Sequence, residues 1–328
     1  MPLHQIAVLT KVFLLKIKMS KVNKLRRFKQ VLLVVVLISF LVIHFFVPRL
    51  ITEIQNPVVG LIKRNRNISF DVTSTTNSKI KSKEFEFNSF DNTILSANIT
   101  YTTSDTLKGT IILLHGIRSS KNHFITLSNF LSENGYNSVA LDSRAHGKSG
   151  GQFCTFGVNE KKDIKTLINY LEANESLTGF GLWGQSLGGA IGLQAMGYDS
   201  RIQFGIIESA FSDFKTIVND YFNLHAGFSF TPFSNYLVNR SGEIAEFNPN
   251  HAKPITYCES IQQPILIVHG NKDKRIDIKY AKANYAKIPS DRKEFIEIDG
   301  ANHLNVWSVG GDAYFTRVLQ FMNESSIN

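Results

Sequence analysis

Only two cysteines, Cys154 and Cys258, occur in 328 residues. That is too few for a disulfide framework, and whether they form a single bridge is a question of geometry. No grouping of Cys, His and Asp has metal-ligand spacing, and no glycine-rich phosphate cradle follows the first apolar strand pattern, so neither a metal nor another cofactor is implied. Acidic residues are nearly missing from the first 68 positions, which hold 12 Lys/Arg and one acid, Glu53. The remaining 24 Lys/Arg and 26 Asp/Glu leave the rest of the chain close to neutral. A sequence pI near 9.4 therefore reports the N-terminus alone. Outside it there is no basic stripe with interleaved aromatics, which excludes a nucleic-acid-binding reading. With 43% apolar and 19% charged residues, disorder of the whole chain is excluded as well.

What the N-terminus does contain is an uncharged apolar run from Val31 to Val47, broken only by Ser39 and His44. As a helix it would measure about 26 Å, close to a hydrocarbon core of roughly 30 Å, with Lys29 and Arg49 placed to snorkel at its ends. A helix buried in protein would read the same way, but the polar flanks supply nothing to bury it. Eight Lys/Arg in residues 11–30 against four in residues 48–67 predict that segment 1–30 is cytoplasmic and the body lies on the non-cytoplasmic side. Pro48-Arg-Leu-Ile-Thr offers no small-x-small cleavage site, so residues 31–47 are expected to stay as a single-pass transmembrane anchor. Met19-Ser-Lys-Val-Asn-Lys reads as a short basic leader of its own, from which translation is expected to begin at Met19. Residues 48–82, polar and without a hydrophobic period, read as a stalk.

From residue 83 the pattern alternates. Lys83–Phe90 and Ile94–Tyr101 form a hairpin pattern around Asp91-Asn92. Short apolar runs follow at Gly109–Leu114, Asn137–Leu141, Gly179–Trp183, Gln203–Ile207, Pro264–Val268 and Glu294–Ile298, as strands buried on both faces require. Helical faces lie between them, among them Phe124, Leu127, Phe130, Leu131 and Ile164, Leu167, Ile168, Leu171. A further helix covers Ile278–Ile288, and a last one is expected to begin just after Gly311. The prediction is an α/β fold, a doubly wound and mostly parallel sheet of about eight strands over residues 83–325. Residues 211–260 are longer than a connection needs and read as a cap insertion.

The sharpest chemical signal is Gly184-Gln185-Ser186-Leu187-Gly188-Gly189 between a strand and a helix pattern. A serine on a tight strand-to-helix turn needs small neighbours at Gly184 and Gly188. A glycine-rich turn whose serine merely caps the helix is the plain alternative.

Taken with this elbow, Leu114-His115-Gly116-Ile117, Asp142-Ser143-Arg144-Ala145-His146-Gly147, His269-Gly270-Asn271-Lys272-Asp273 and Gly300-Ala301-Asn302-His303 make residues 83–323 resemble the α/β-hydrolase superfamily. The likeness is to its serine aminopeptidase-like branch, which includes membrane-associated hydrolases. The resemblance implies a nucleophile–acid–histidine order supplied by Ser186, Asp273 and His303, with Asp277 as the alternative acid. It also implies an oxyanion hole made by the N–H groups of Leu187 and Ile117, with Arg118 as a substitute for the latter. Arg144 and Asp142 read as a structural pair, and His115 and His146 as shapers of loops. His123, His225, His251 and His269 read as structural or solvated, with His225 in the cap as a contact for substrate.

The expected activity is then cleavage of an ester, thioester or amide through an acyl-enzyme, at a membrane. Phe211, Phe214, Tyr221, Phe222, Phe228, Phe230, Phe233 and Tyr236 of the cap either line a pocket for an acyl or lipid-like substrate or pack the cap onto the body. Aminopeptidase action would need an acidic cap group, for which Glu243 and Glu246 are present but unplaced. Two other readings share the fold: a non-catalytic binding protein and a cofactor-free peroxidase using the same triad. Oligomeric state is not encoded in any of these motifs.

Overall fold

The computed structural model describes residues 3–55 and 80–326. The chain divides into two units, residues 1–48 and 49–328. In the first, helix α1 runs Leu3–Leu41 and passes through a π-helical turn, Val42–Phe46. The helical path continues as α2, Val47–Thr52. The stretch Asn23–Thr52 is long and apolar enough to cross a membrane.

In the second unit, eight strands form one sheet in the order β1-β2-β4-β3-β5-β6-β7-β8. They are β1 (Ser82–Asn88), β2 (Ile94–Thr100), β3 (Gly109–Leu114), β4 (Tyr136–Leu141), β5 (Phe180–Gln185), β6 (Ile202–Glu208), β7 (Ile265–Gly270) and β8 (Lys293–Ile298). Only β2 runs against its neighbours; from β4 to β8 every pairing is parallel. Every residue of β3, β4 and β7 is buried, which explains why these segments read as unbroken apolar runs. β8 is an edge strand, and its charged residues Lys293, Glu294 and Glu297 protect that edge from further pairing.

Helices α3 (Ile125–Glu133), α4 (Glu160–Asn174), α5 (Leu187–Met196), α6 (Phe214–Ala226), α7 (Thr231–Ile244), α8 (Pro254–Cys258), α9 (Ile278–Lys287) and α10 (Val306–Ser325) complete the unit. Two apolar clusters cover the two sheet faces. One joins Ile112, Leu182 and Ile207 to Leu167 of α4 and Ile191 of α5; the other joins Ile111, Trp183 and Leu266 to Leu127 of α3 and Val318 of α10.

Three local expectations differ from the structure. The last helix begins at Val306, six residues before the expected place, and Gly311 (φ 53°, ψ −152°) kinks it. Only glycine takes that backbone geometry without strain, so the kink coincides with the residue that resembled a start. Arg144 pairs with Asp163 and Asp91 and not with Asp142, whose carboxylate binds Lys121 Nζ (2.7 Å) and accepts the N–H groups of Lys121 and Lys148. The sequence places Arg144 and Asp142 close together, but the turn sends the guanidinium toward the first turn of α4. Finally, most of the expected stalk lies outside the described residues, while its first part, residues 49–55, is built into the α/β unit. Ile54 is buried, and Ile51 packs against the core. The two cysteines are both buried and free.

Candidate active site

The turn between β5 and α5 is forced by small residues. A Cβ added at Gly184 would collide with the Gly188 carbonyl, and one at Gly188 with the carbonyls of Leu114 and His115. The chain therefore folds closely enough to hold Ser186 at φ 55°, ψ −115°, a sparsely populated conformation for a side-chain-bearing residue. The serine stands at the helix N-cap position, yet its side chain caps nothing. Its Oγ instead lies 2.9 Å from Nε2 of His303. The capping alternative is thereby excluded.

His303 comes from the loop between β8 and α10, and its Nδ1 lies 2.7 Å from Oδ2 of Asp273 on the loop after β7. The other carboxylate oxygen, Oδ1, accepts the N–H groups of Arg275 (2.9 Å) and Ile276 (3.0 Å). Burial alone would raise the Asp273 carboxyl, but hydrogen bonding to His269 and His303 outweighs it and holds the group well below the usual carboxylate range. An ionised Asp273 fixes the Nδ1–H tautomer of His303, which leaves Nε2 to accept the Ser186 hydroxyl proton. Asp277 sits elsewhere, exposed, as the N-cap of α9, accepting the N–H of Lys279.

The loop after β3 passes alongside the serine, since a Cβ at Gly116 would stand 3.4 Å from Cβ of Ser186. Ile117 follows in that loop, and Leu187 opens α5 directly after the serine. The His115 ring donates from Nδ1 to the Gly116 carbonyl (2.8 Å) and accepts the Ser143 N–H at Nε2 (3.2 Å). Burial lowers its pKa to about 3, so it holds the loop as a neutral ring. His146 is likewise buried and bonds within its own turn to the Arg144 carbonyl.

The cap aromatics divide. Phe214 stacks on Phe156 at 3.9 Å and, with Phe211, is buried packing. Tyr221 lies within electrostatic reach of Asp273, Arg275 and Arg118. Phe228, Phe230, Phe233 and Tyr236 are exposed, as is His225. Glu243 pairs with Arg240 (2.7 Å) at the far end of α7.

Two residues bear on the site beyond what the sequence reading gave them: His269, read there as structural or solvated, and Glu208, which it did not single out. His269 is fully buried, with Nε2 3.4 Å from Asp273 Oδ2 and 2.7 Å from the Ile276 carbonyl. Glu208, at the end of β6, is fully buried and accepts from Trp183 (2.7 Å), Gln185 (2.6 Å), Trp307 (2.9 Å) and Tyr314. A charged residue closing an apolar strand was the available signal for Glu208; His269 opens the segment His269-Gly270-Asn271-Lys272-Asp273, but nothing in it shows that its ring reaches Asp273. Among the described residues, no group of three or more His, Cys, Asp or Glu could hold a metal ion.

Comparison with known proteins agrees with this architecture. A family model described as serine aminopeptidase, S33, matches residues 105–251. The chain is 27% identical to the uncharacterised protein YfhR of Escherichia coli over 227 residues, 67% of this chain and 72% of that one. It is 25% identical to the putative esterase YitV of Bacillus subtilis, over 59% of this chain and 82% of the relative. The solved esterase Pf2001 of Pyrococcus furiosus superposes with a TM-score of 0.62 at 24% identity, covering 76% of this chain and 94% of that structure. By sheet order, by the elbow and by these likenesses, the chain has the α/β-hydrolase fold, and its middle part is similar to the serine aminopeptidase family.

Proposed function

We propose that this chain is a membrane-anchored serine hydrolase that cleaves an ester, thioester or amide bond through an acyl-enzyme. The observation that carries the reading is the unbroken relay from Ser186 Oγ through His303 to Asp273, at 2.9 and 2.7 Å. Ser186 Oγ attacks the carbonyl carbon while its proton passes to Nε2 of His303, and Asp273 stabilises the imidazolium. The oxyanion takes hydrogen bonds from the Leu187 and Ile117 N–H groups. Collapse breaks the bond to the leaving group, which departs with the proton from His303. Water, deprotonated by His303, then attacks the acyl carbon, releasing the acid and restoring Ser186.

Esters are the favoured substrates, since the relatives with a printed activity include a putative esterase and a solved esterase. Glu243, one of the two acids available for recognising a peptide amino group, is engaged by Arg240. Anchoring rests on the helix Asn23–Thr52, with the basic segment before it cytoplasmic. Fluorophosphonate labelling of the full chain tests the chemistry: wild type should label and Ser186→Ala should not. Absence of labelling in folded wild type would favour the non-catalytic reading. Proteolysis of intact cells from outside tests the orientation, because a body on the non-cytoplasmic side should be digested.

A further inference from the structure

Two surface features at one edge of the sheet point to the same partner. The first is where the chain enters the α/β unit. The carbonyl of Leu50 accepts from Arg118 (3.3 Å) and the carbonyl of Thr52 from the N–H of Cys154 (2.8 Å). Gln55 donates to the Gly147 carbonyl (3.2 Å). Arg118 belongs to the loop after β3, and Gly147 and Cys154 to the loop after β4, so residues 50–55 dock on the sheet edge that carries Ser186, Asp273 and His303. Leu50 lies three residues beyond the end of the apolar run at Val47, no more than about 10 Å along the chain. Residues 50–55 therefore dock on that edge within a short length of chain after the apolar run ends.

The second feature is the tip of the cap. From Tyr221 to Asn239 there is no Asp, Glu, Lys or Arg, and six of the 19 residues are Phe or Tyr. At the connection between α6 and α7 these side chains face solvent: Phe228 is 68% and Phe230 61% exposed, with Leu224 and Phe233 beside them. Exposed aromatics among Asn, Ser and Thr, without charge, have the composition of a segment that sits at a lipid–water interface. A soluble monomer seldom shows such a patch without a partner. Helix α6 follows the carboxyl end of β6, and its Asp220 accepts from Tyr280 (2.7 Å) and pairs with Lys279 (3.0 Å) at the start of α9, just after the Asp273 loop, so the helix that leads to the tip lies at the same edge as residues 50–55.

We propose that the cap tip, residues 224–236, is a second membrane-contact surface, seated in the interface of the bilayer that the N-terminal helix enters. The active-site edge then faces lipid, and substrate reaches Ser186 from the bilayer side. This inference rests on the membrane-anchor reading.

The test is quenching of tryptophan fluorescence by brominated phosphatidylcholine, with the full chain reconstituted into phosphatidylcholine–phosphatidylglycerol vesicles. Three variants are compared with wild type, whose Trp183 and Trp307 give the background. Phe230→Trp reports the tip, Val36→Trp the apolar run, and Tyr198→Trp the opposite sheet edge, where Tyr198 is exposed before β6. The expected result is added quenching for Val36→Trp and Phe230→Trp and none for Tyr198→Trp. Quenching at Val36→Trp without quenching at Phe230→Trp overturns the inference and leaves the anchor intact. Quenching at neither overturns both. Shielding of Phe230→Trp from aqueous iodide without lipid quenching would assign the tip to a protein partner, and equal quenching at Tyr198→Trp would refute the proposed facing.

Discussion

The backbone N–H of Ser186 donates to the carbonyl of Glu208 at 2.8 Å, so the proposed nucleophile and the buried glutamate of the next strand hold each other directly. The Glu208 carboxylate meanwhile receives Trp183 and Gln185 from β5 and Trp307 and Tyr314 from α10. Burial pushes its pKa up, and the four donors oppose that. One side chain thus clamps the strand that presents Ser186 to the helix that follows His303. Glu208→Ala leaves four donors without their acceptor, at about 1–3 kcal/mol for each one that water does not reach. The expected loss is more than about 3 kcal/mol in urea unfolding, with turnover falling alongside it. Glu208→Gln keeps the shape and an acceptor oxygen and should lose less of both.

Asp273 and Asp277 stand four residues apart and should respond oppositely. Asp273→Asn removes the anion facing Nδ1 of His303 and is expected to lower kcat on the order of 10³-fold or more, with little change in KM. Asp277→Ala removes an exposed N-cap, so it should cost about 1 kcal/mol of stability and leave kcat unchanged. Steady-state kinetics on a soluble ester separates them. Equal effects would mean that the acid had been misassigned.

Gly188 has no room for a methyl group, because the carbonyls of Leu114 and His115 occupy the space of its Cβ. Backbone cannot be displaced as a flexible side chain can, so Gly188→Ala has to pull α5 away from β3. A loss of about 3 kcal/mol is expected, together with loss of fluorophosphonate labelling. Differential scanning fluorimetry and the labelling assay read the two effects separately.

How far the sequence carries is visible in these same residues. The elbow was legible because a serine on a tight strand-to-helix turn needs small neighbours whatever lies around it; Gly184 meets the backbone of Gly188 within the turn, while Gly188 meets the distant carbonyls of Leu114 and His115. The central strands β3, β4 and β7 were legible because strands buried on both faces must be continuously apolar, and β1 because its apolar residues alternate. Glu208 was not, since its value lies in donors 23 to 106 residues away. The Arg144–Asp163 pair was missed for the same reason, and residues 49–55 were read as stalk because their few apolar side chains find partners only in the folded unit. The cap aromatics look alike in sequence, and only the path of α6 and α7 separates buried Phe214 from exposed Phe230.

The buried His115 sets a pH dependence of stability. Unfolded, its imidazole titrates near 6.5; folded, burial keeps it neutral down to about 3. A depressed folded pKa gives stability that is complete above about 6.5 and lost as pH falls from there toward about 3. By pH 5 the loss from this one group is about 2 kcal/mol. His115→Asn retains a donor and an acceptor but does not titrate. Its urea midpoint should fall less than that of wild type between pH 7.5 and 5, and parallel curves would rule out His115 as the origin.

Residues 49–55 decide where a soluble form of the catalytic unit can begin. Ile54 is 6% exposed, and Thr52 supplies the acceptor for the N–H of Cys154. A chain starting at residue 80 loses both and leaves Arg118, in the loop that carries Ile117, without the Leu50 carbonyl. Compared with a chain starting at residue 49, it should be less stable by about 3 kcal/mol, roughly 6–12 °C in Tm for a unit of this size. The thiol of Cys154, fully buried when residues 49–55 are in place, should react with a thiol reagent in the shorter chain and stay protected in the longer one. Ile54→Ala in the longer chain removes the packing but keeps the main-chain bonds, so it should fall between the two. Equal melting temperatures and equal protection of Cys154 would mean that the segment only rests on the surface of the α/β unit.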